Sequence, residues 1–597
     1  MTLRLRATRL ATTVALVALA TVGLTVSAGA APPPVVPPSL GSALGYAVNQ
    51  PVCNQPARIG FVRCFAFKRV DVAKGTKHAY SYVKSDALVH GPAGGYTPAL
   101  VASAYGFDPR VNRSSQTVAI VDWYDDPLAL VDLRAFDAHY RFPLDTAATF
   151  RKVNQRGLSA PLPSSDQDAS TEIALDTQVV RGVCRTCKIL LVEADSPSEN
   201  DIAAAENTAV RLGATVVSNS FGGPEHGLSS SLIAAYNHPG VAITASTGDD
   251  GWRGWDWSNN TGDHSDNAVS YPASSPYVVS VGGTSLTLNA NGTRANETVW
   301  NGNGPSDSAG LPNHRRLGAG GGGCSRYFGA PLWQLHHAGY AAAGCAGKRL
   351  SADVSALADP RYGFDIVDRF GAGGWITVGG TSVAAPLVAG MYALVGGAHG
   401  AAYPSAAVYT NSDTKLWSRY DVRTGGNGFC GGATTSDCSQ SVASQSGLLG
   451  LPGTVNNPNA LPGGLKDCSF PSSGTVSSPP ALDQECNAVV GYDGPSGVGA
   501  PSSSSLFLNA EPALGFTHPA ALHVRQVGTF TSKATEYAPN THILYYVWRW
   551  GDGARTVATS TSARHAYART GRFLVTLSVV DSRYQVVYHR TWQPVVT

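Results

Sequence analysis

Residues 188–246 read KILLVEADSPSENDIAAAENTAVRLGATVVSNSFGGPEHGLSSSLIAAYNHPGVAITAS, and the rhythm of this stretch decides the fold. Lys188-Ile-Leu-Leu-Val-Glu193, Thr215-Val-Val-Ser-Asn-Ser220 and Val241-Ala-Ile-Thr-Ala-Ser246 are short apolar, β-branched runs that read as buried strands. Asp201–Leu212 and Leu228–Tyr236 read as the helices between them. The same rhythm begins upstream with a strand at Thr117-Val-Ala-Ile-Val-Asp122, a helix near Pro127–Tyr140 and another over Ser170–Val180. Apolar strands alternating with helices imply an α/β fold, a parallel sheet with helices on both faces. Functional groups in such sheets gather at the carboxyl ends of the strands. Further on, Asn289–Gly329 reads as a Gly-rich insertion, Thr381–Val395 as a helix, and 423–485 as loop.

A chain of 597 residues is too long for one compact domain. Its 43% apolar and 14% charged residues exclude global disorder. A formal net charge of +2, with no basic stripe or acidic tail, gives no sign of a nucleic-acid partner. At the N-terminus Arg4, Arg6 and Arg9 precede an apolar run over Ala11–Val26 and a small-residue site at Ala28-Gly29-Ala30, which reads as a secretory signal peptide. Secretion, an extracellular location and no membrane contact after cleavage are therefore expected. Ten cysteines agree with an oxidising compartment, and neighbours suggest Cys53–Cys64, Cys184–Cys187, Cys324–Cys345, Cys430–Cys438 and Cys468–Cys486.

The last part of the chain has a different pattern. Val547-Trp-Arg-Trp550, Gly551-Asp552-Gly553 and Phe573–Val580 alternate runs and turns, as a small all-β sandwich does. Trp548, Gly551-Asp552-Gly553, His565, Tyr567, Gly571 and Asp581 resemble the polycystic-kidney-disease (PKD) type domain. That resemblance implies contact with polymeric substrate or carbohydrate through this domain.

Chemistry is carried first by Gly379-Gly380-Thr381-Ser382-Val383-Ala384-Ala385-Pro386. A serine at the mouth of a helix, behind a Gly-rich turn, has its hydroxyl lifted clear of the backbone. Its own N–H points outward and can donate to an oxyanion. A lone Thr-Ser would read as an ordinary N-cap, but with these flanks the segment resembles the nucleophile motif shared by subtilisins and sedolisins. Such a serine needs a base. Subtilisins use a histidine followed by Gly-Thr, and none of the fifteen histidines here has that context. His226 precedes Gly227-Leu228, and His399 precedes Gly400-Ala401.

Thr171-Glu172-Ile-Ala-Leu-Asp176 places two carboxyl groups on one helix face. Like charges at i and i+4 destabilise an isolated helix, whereas close carboxylates can share a proton and leave one poised as a base. Two solvated acids on an exposed face is the simpler reading, but Ile173-Ala-Leu175 between them points to a partly buried helix. Ala245-Ser-Thr-Gly248-Asp249-Asp250-Gly251 follows a strand and puts Asp249 where subtilisins have an oxyanion-stabilising Asn. A carboxyl donates a hydrogen bond only when protonated, so Asp249 needs a raised pKa or an acidic medium. The bland alternative is an Asp-Asp-Gly turn.

Together these motifs resemble the sedolisins, the serine-carboxyl peptidases, over about residues 95–509. The resemblance implies a subtilisin-like fold and an endopeptidase active at acid pH on protein or peptide substrates. By it, Ser382 is the nucleophile, Glu172 the general base, Asp176 the group that orients Glu172, and Asp249 with the Ser382 N–H the oxyanion hole. It also implies one calcium site, with Asp421 and Asp493 giving carboxylates and Val422, Val489 and Gly491 giving carbonyls, an oxygen set that suits a hard cation. Asn219-Ser220-Phe221-Gly222-Gly223 is expected to offer backbone to an extended peptide. The domains expected are a signal peptide over 1–30, a short N-terminal or pro segment over 31–94, the peptidase domain over 95–509 and a PKD-like sandwich over 510–597, in a monomer. Two alternatives stay open: a histidine-dependent subtilisin with Asp122 as its acid, and a catalytically inactive secreted binding protein.

Overall fold

The computed structural model describes residues 43–597 apart from 54–57, 75–79, 85–87, 255–267, 303–317, 400, 402, 429–483, 509–515, 534–542, 582–585, 589–591 and 593. The signal-peptide reading, most of the 423–485 loop, and Cys430, Cys438 and Cys468 lie outside the described residues. The disulfides Cys53–Cys64, Cys184–Cys187 and Cys324–Cys345 are present.

An 8-stranded sheet organises the larger part of the chain. Its strands run in the spatial order Arg294–Val299, Val279–Leu288, Ala242–Ser246, Val216–Asn219, Thr117–Trp123, Lys188–Ala194, Phe150–Asn154, and Val354–Leu357 also pairs with Val279–Leu288. All pairings are parallel except that of Arg294–Val299, an antiparallel edge strand. From Val118 to Trp123 every residue is buried, which a strand achieves only with both faces covered. The register sets Asp122 opposite Glu193, so acidic side chains meet at the carboxyl ends of adjacent strands.

Two helices bring the chemistry over that end. Gln167–Val183 starts on Asp166, whose carboxylate caps the Ala169 N–H at 2.9 Å. Every residue from Ala169 to Val183 is buried, so this is a central helix with no solvent face. Thr381–Leu394 is also buried along its whole length, and the two helices pack against each other. Pro386 lies inside the second helix and has no N–H for the Ser382 carbonyl. The Ser220 hydroxyl lies 3.3 Å from that carbonyl.

Two stretches carry strands that the sequence reading did not give. Within Asn289–Gly329, Arg294–Val299 extends the main sheet, and Ala319–Gly329 forms a strand paired with Lys348–Ser351. The other stretch lies within the expected N-terminal segment. Ala43–Pro51, Phe67–Asp71 and Tyr80–Lys84 share one 5-stranded sheet with Phe364–Asp368 and Gly374–Gly379, the strand that runs into the Ser382 helix. This pairing joins segments some 300 residues apart, which local periodicity does not encode.

The C-terminal part has its own core of Phe530, Trp548, Trp550, Tyr567, Phe573, Val575 and Leu577. It is built from antiparallel strands in a 4-stranded and a 3-stranded sheet. Gly551 and Gly553 take φ of 82° and 94° in the turn, and Asp552 Oδ2 meets His565 Nε2 at 2.8 Å. The His565 ring stacks on Trp550 with centroids 4.6 Å apart.

Candidate active site

Gly380, with φ of 100°, turns the chain into the Ser382 helix, and Asp249 caps that helix from another strand end. Asp249 Oδ1 accepts the Thr381 N–H at 2.7 Å and the Thr381 hydroxyl at 2.9 Å. Asp249 Oδ2 is buried with no hydrogen-bond partner. A Cβ on Gly380 would sit 2.5 Å from that oxygen and would overlap Phe65 O, so only glycine fits the turn. A helix N-terminus favours a charged carboxylate, and both Thr381 bonds act the same way. Burial outweighs them and pushes the Asp249 carboxyl up to about 7. Asp249 is therefore a carboxylic acid through the acid range, able to donate a hydrogen bond.

Glu172 and Asp176 sit on the same side of their helix, buried against Ser382 and its neighbours. Asp176 Oδ1 accepts the Ser220 hydroxyl at 2.7 Å. Both Glu172 oxygens and Asp176 Oδ2 are buried without a hydrogen-bond partner. Burial raises the Glu172 pKa well above the ordinary carboxyl range. The charges of Asp176 and Asp122 add to the shift, and the Ser382 hydroxyl opposes it. Asp176 is raised chiefly by burial, with Ser220 holding it down. Asp122 is raised by burial, then by Asp176 and Glu193. Three buried carboxyls thus compete for charge in one place, and protons must be shared among them.

Ser382 Oγ donates to the Ser220 carbonyl at 2.9 Å and accepts the Phe65 N–H at 3.1 Å. The Ser382 N–H, the expected oxyanion donor, is directed to Phe65 O at 2.9 Å. Ser382, Glu172, Asp176 and Asp249, which the sequence singled out, come together around one point. Sequence reasoning missed Ser220 as the hydroxyl on Asp176, Asp122 as a third carboxyl beside the pair, and Phe65 across the serine. No local motif marks Ser220 or Phe65. Asp122 was legible only as a strand-end acid.

The residues proposed for calcium also converge. Gly491 N donates to Asp421 Oδ1 at 3.0 Å, and Val489 N donates to Asp493 Oδ2 at 3.1 Å. Burial raises the Asp493 carboxyl to about 8, and the Asp421 charge adds to it. The two carboxyl groups interact with each other, and a hard cation between them would relieve their repulsion, but the contacts from Val489 and Gly491 are N–H groups and not carbonyls. Against it, Arg419 and Arg423 both pair with Asp421. Among the described residues, no three His, Cys, Asp or Glu side chains form a metal cluster.

A nucleophile-type serine at a helix mouth, over the carboxyl end of a parallel sheet and beside buried carboxyls, defines a subtilisin-like α/β fold with an acidic site. Residues 167–419 match the subtilase family, and residues 509–587 match the PKD domain. The chain is 30% identical over 366 residues to sedolisin of Pseudomonas sp. (strain 101), covering 58% of each chain. It is 31% identical over 318 residues to kumamolisin of Bacillus sp. (strain MN-32), covering 50% of this chain and 52% of that one. A solved Pseudomonas sedolisin, a serine-carboxyl proteinase complexed with two molecules of pseudo-iodotyrostatin, is similar with a TM-score of 0.49 and 26% identity, over 70% of this chain and 98% of that one. The chain thus carries a subtilase-family domain and a PKD domain, and its relatives include sedolisin and kumamolisin. It spans between half and three fifths of the length of these two curated relatives.

Proposed function

We propose that the protein is a secreted serine-carboxyl endopeptidase that hydrolyses protein or peptide substrates at acid pH. The observation that carries this reading is the buried set of Glu172, Asp176 and Asp249 around Ser382, with Asp249 held at about 7. Ser382 Oγ attacks the substrate carbonyl while its proton passes to Glu172. Asp176, positioned by Ser220, orients Glu172 and shares its proton load. Protonated Asp249 and the Ser382 N–H stabilise the oxyanion. Glu172 then gives the proton to the leaving amine, and water hydrolyses the acyl-enzyme with Glu172 again as base. Two protonation states must coexist: Glu172 able to accept a proton, and Asp249 still holding one.

Asp421, Val422, Val489, Gly491 and Asp493 would hold Ca²⁺, which when bound supplies charge neutralisation that fixes the 489–493 loop. The domains in this reading are a signal peptide over 1–30, a short N-terminal or pro segment over 31–94, the peptidase domain over 95–509 and a PKD-like sandwich over 510–597. Among the described residues no helix is long and apolar enough to cross a membrane. The C-terminal sandwich is read as a contact module for polymeric substrate. A peptide-hydrolysis assay on the full chain and Ser382→Ala tests the activity. Hydrolysis that persists in the variant contradicts it.

A further inference from the structure

The residue after Asp249 is a second carboxylate, set in the wall of the cleft. Asp250 opens the short strand Asp250–Trp252, which pairs in parallel with Ala319–Gly329. Ala319 N donates to Asp249 O at 2.9 Å and Trp252 N donates to Asn427 O at 2.6 Å, so the backbone on both sides of Asp250 is fixed. The Asp250 side chain lines a pocket with Gly222, Gly223, Pro224 and Arg253 and is only 9% exposed. Among the described residues its ion pair is with Arg63, which is buried as well.

Arg63 reaches Asp250 from the position of an extended peptide. Arg63–Cys64 pairs antiparallel with Phe221–Pro224, with Arg63 opposite Gly222, on the Gly-rich edge expected to receive a substrate. Two residues on, Phe65 N donates to Ser220 O at 3.2 Å and Phe65 O accepts the Ser382 N–H at 2.9 Å. A substrate residue held by the same groups presents its carbonyl to the nucleophile and to an oxyanion donor. Side chains at i and i+2 of an extended chain point to the same side. The Phe65 ring accordingly lies on glycine, where a Cβ on Gly222 would be 2.8 Å from Phe65 Cε2. The Arg63 guanidinium carbon lies 5.6 Å from the centroid of that ring. The cleft thus offers glycine to an apolar side chain at the attacked residue, and a carboxylate to the side chain two residues before it.

Arg253, the other basic residue of this wall, is turned to the Trp252 ring, its guanidinium carbon 5.5 Å from the ring centroid. A peptide that takes the place of Arg63 therefore either brings a cation to Asp250 or leaves a buried carboxylate unpaired, which is costly. A guanidinium matches a carboxylate through two parallel hydrogen bonds, and an ammonium matches it as a point charge. We propose that Asp250 determines specificity: it receives a basic side chain, so the enzyme selects peptides with Arg or Lys two residues before the one whose carbonyl Ser382 attacks. This rests on the serine-peptidase reading above. An acidic side chain in that place meets like charge in a buried wall and is rejected.

The test uses the full chain on quenched fluorescent peptides, at about pH 5, above the ordinary aspartate pKa of about 3.9. All share Phe at the attacked residue, and two residues upstream they hold Arg, Lys, citrulline, Ala or Glu. Citrulline keeps the shape of arginine without its charge. The kcat/KM for Arg and Lys is expected to exceed that for citrulline and Ala by roughly tenfold or more, the worth of one charged hydrogen-bonded contact, with Glu slowest. The Arg-to-citrulline ratio is expected to fall close to one in Asp250→Asn and to be kept in Asp250→Glu. Each ratio is taken within one variant, so a general loss of activity or folding cancels. A wild-type ratio close to one, a ratio that survives in Asp250→Asn, or a cut in the Arg peptide that does not follow Phe overturns the inference and leaves the peptidase reading standing. A chain that hydrolyses none of the peptides overturns both.

Discussion

Asp249 and Thr381 are joined by two hydrogen bonds to one oxygen, from the backbone N–H at 2.7 Å and from the hydroxyl at 2.9 Å. The second oxygen of Asp249 is left buried and unpartnered near Phe65 O and the N–H of Ser382. One oxygen anchors the helix, and the other is free to carry a proton toward developing charge.

Replacing Asp249 separates these two roles. Asp249→Asn supplies a permanent donor in place of a titrating one, so activity is retained and extends to higher pH. Asp249→Ala removes the donor and lowers kcat by roughly 10²–10³. Steady-state kinetics across pH on both variants check this, and a near-normal rate in Asp249→Ala removes Asp249 from the mechanism.

Glu172→Gln keeps the shape of the buried side chain but cannot accept a proton. Turnover is expected to fall by roughly 10⁴-fold or more, as when one member of a catalytic unit is lost. The assay is hydrolysis of a peptide at acid pH. Full activity in Glu172→Gln moves the base elsewhere.

Much of this site was legible in the sequence, for physical reasons. Gly380 is demanded by a positive φ and a close approach, and Thr381-Ser382 by the helix mouth, so the motif is compact and visible. Glu172 and Asp176 were legible because the i, i+4 spacing fixes a shared face. Ser220 was not, since its role depends on a carboxylate 44 residues away. The strands over 43–84 were hidden for a similar reason. Their partners are Gly374–Gly379 and each other, and register across such distances has no local signature. In Ala319–Gly329 glycine masked the strand, because glycine weakens strand propensity even where close backbone contact requires it.

Ser220→Ala tests the support beneath the pair. It removes the bond that holds the Asp176 pKa down, so Asp176 rises further and takes more of the shared proton. Stability falls by about 1–3 kcal/mol, the cost of an unsatisfied buried acceptor. The pH profile shifts as well, a change that a merely structural role would not produce. Denaturant melts and a pH–kcat series read the two effects.

Acid should also favour the folded state. Burial holds Asp126 and Asp249 at about 7, Glu206 at about 8 and Glu193 at about 9, against ordinary values of 3.8 and 4.5. The folded chain keeps protons that the unfolded chain releases, so the stability these groups contribute is complete below their ordinary values. It is lost as pH rises through the folded ones. Thermal melts from acid to pH 9 are expected to show Tm falling toward the alkaline end, and a Tm that rises over that range contradicts the burial of these carboxyls as acids.

Calcium should stabilise the Asp421–Asp493 region. Titration calorimetry with Ca²⁺, and melts with and without chelator, are expected to show binding and a lower Tm after chelation. Asp493→Asn should abolish the difference. No heat and no shift in the wild type excludes the ion.

The most direct measurement is the pH–rate profile of the full chain on a peptide substrate. A base that is a buried glutamate and an oxyanion donor that is a protonated aspartate predict activity confined to acid pH and lost as Asp249 ionises near neutrality. A rate that holds a plateau at pH 8 and above contradicts the carboxylate site.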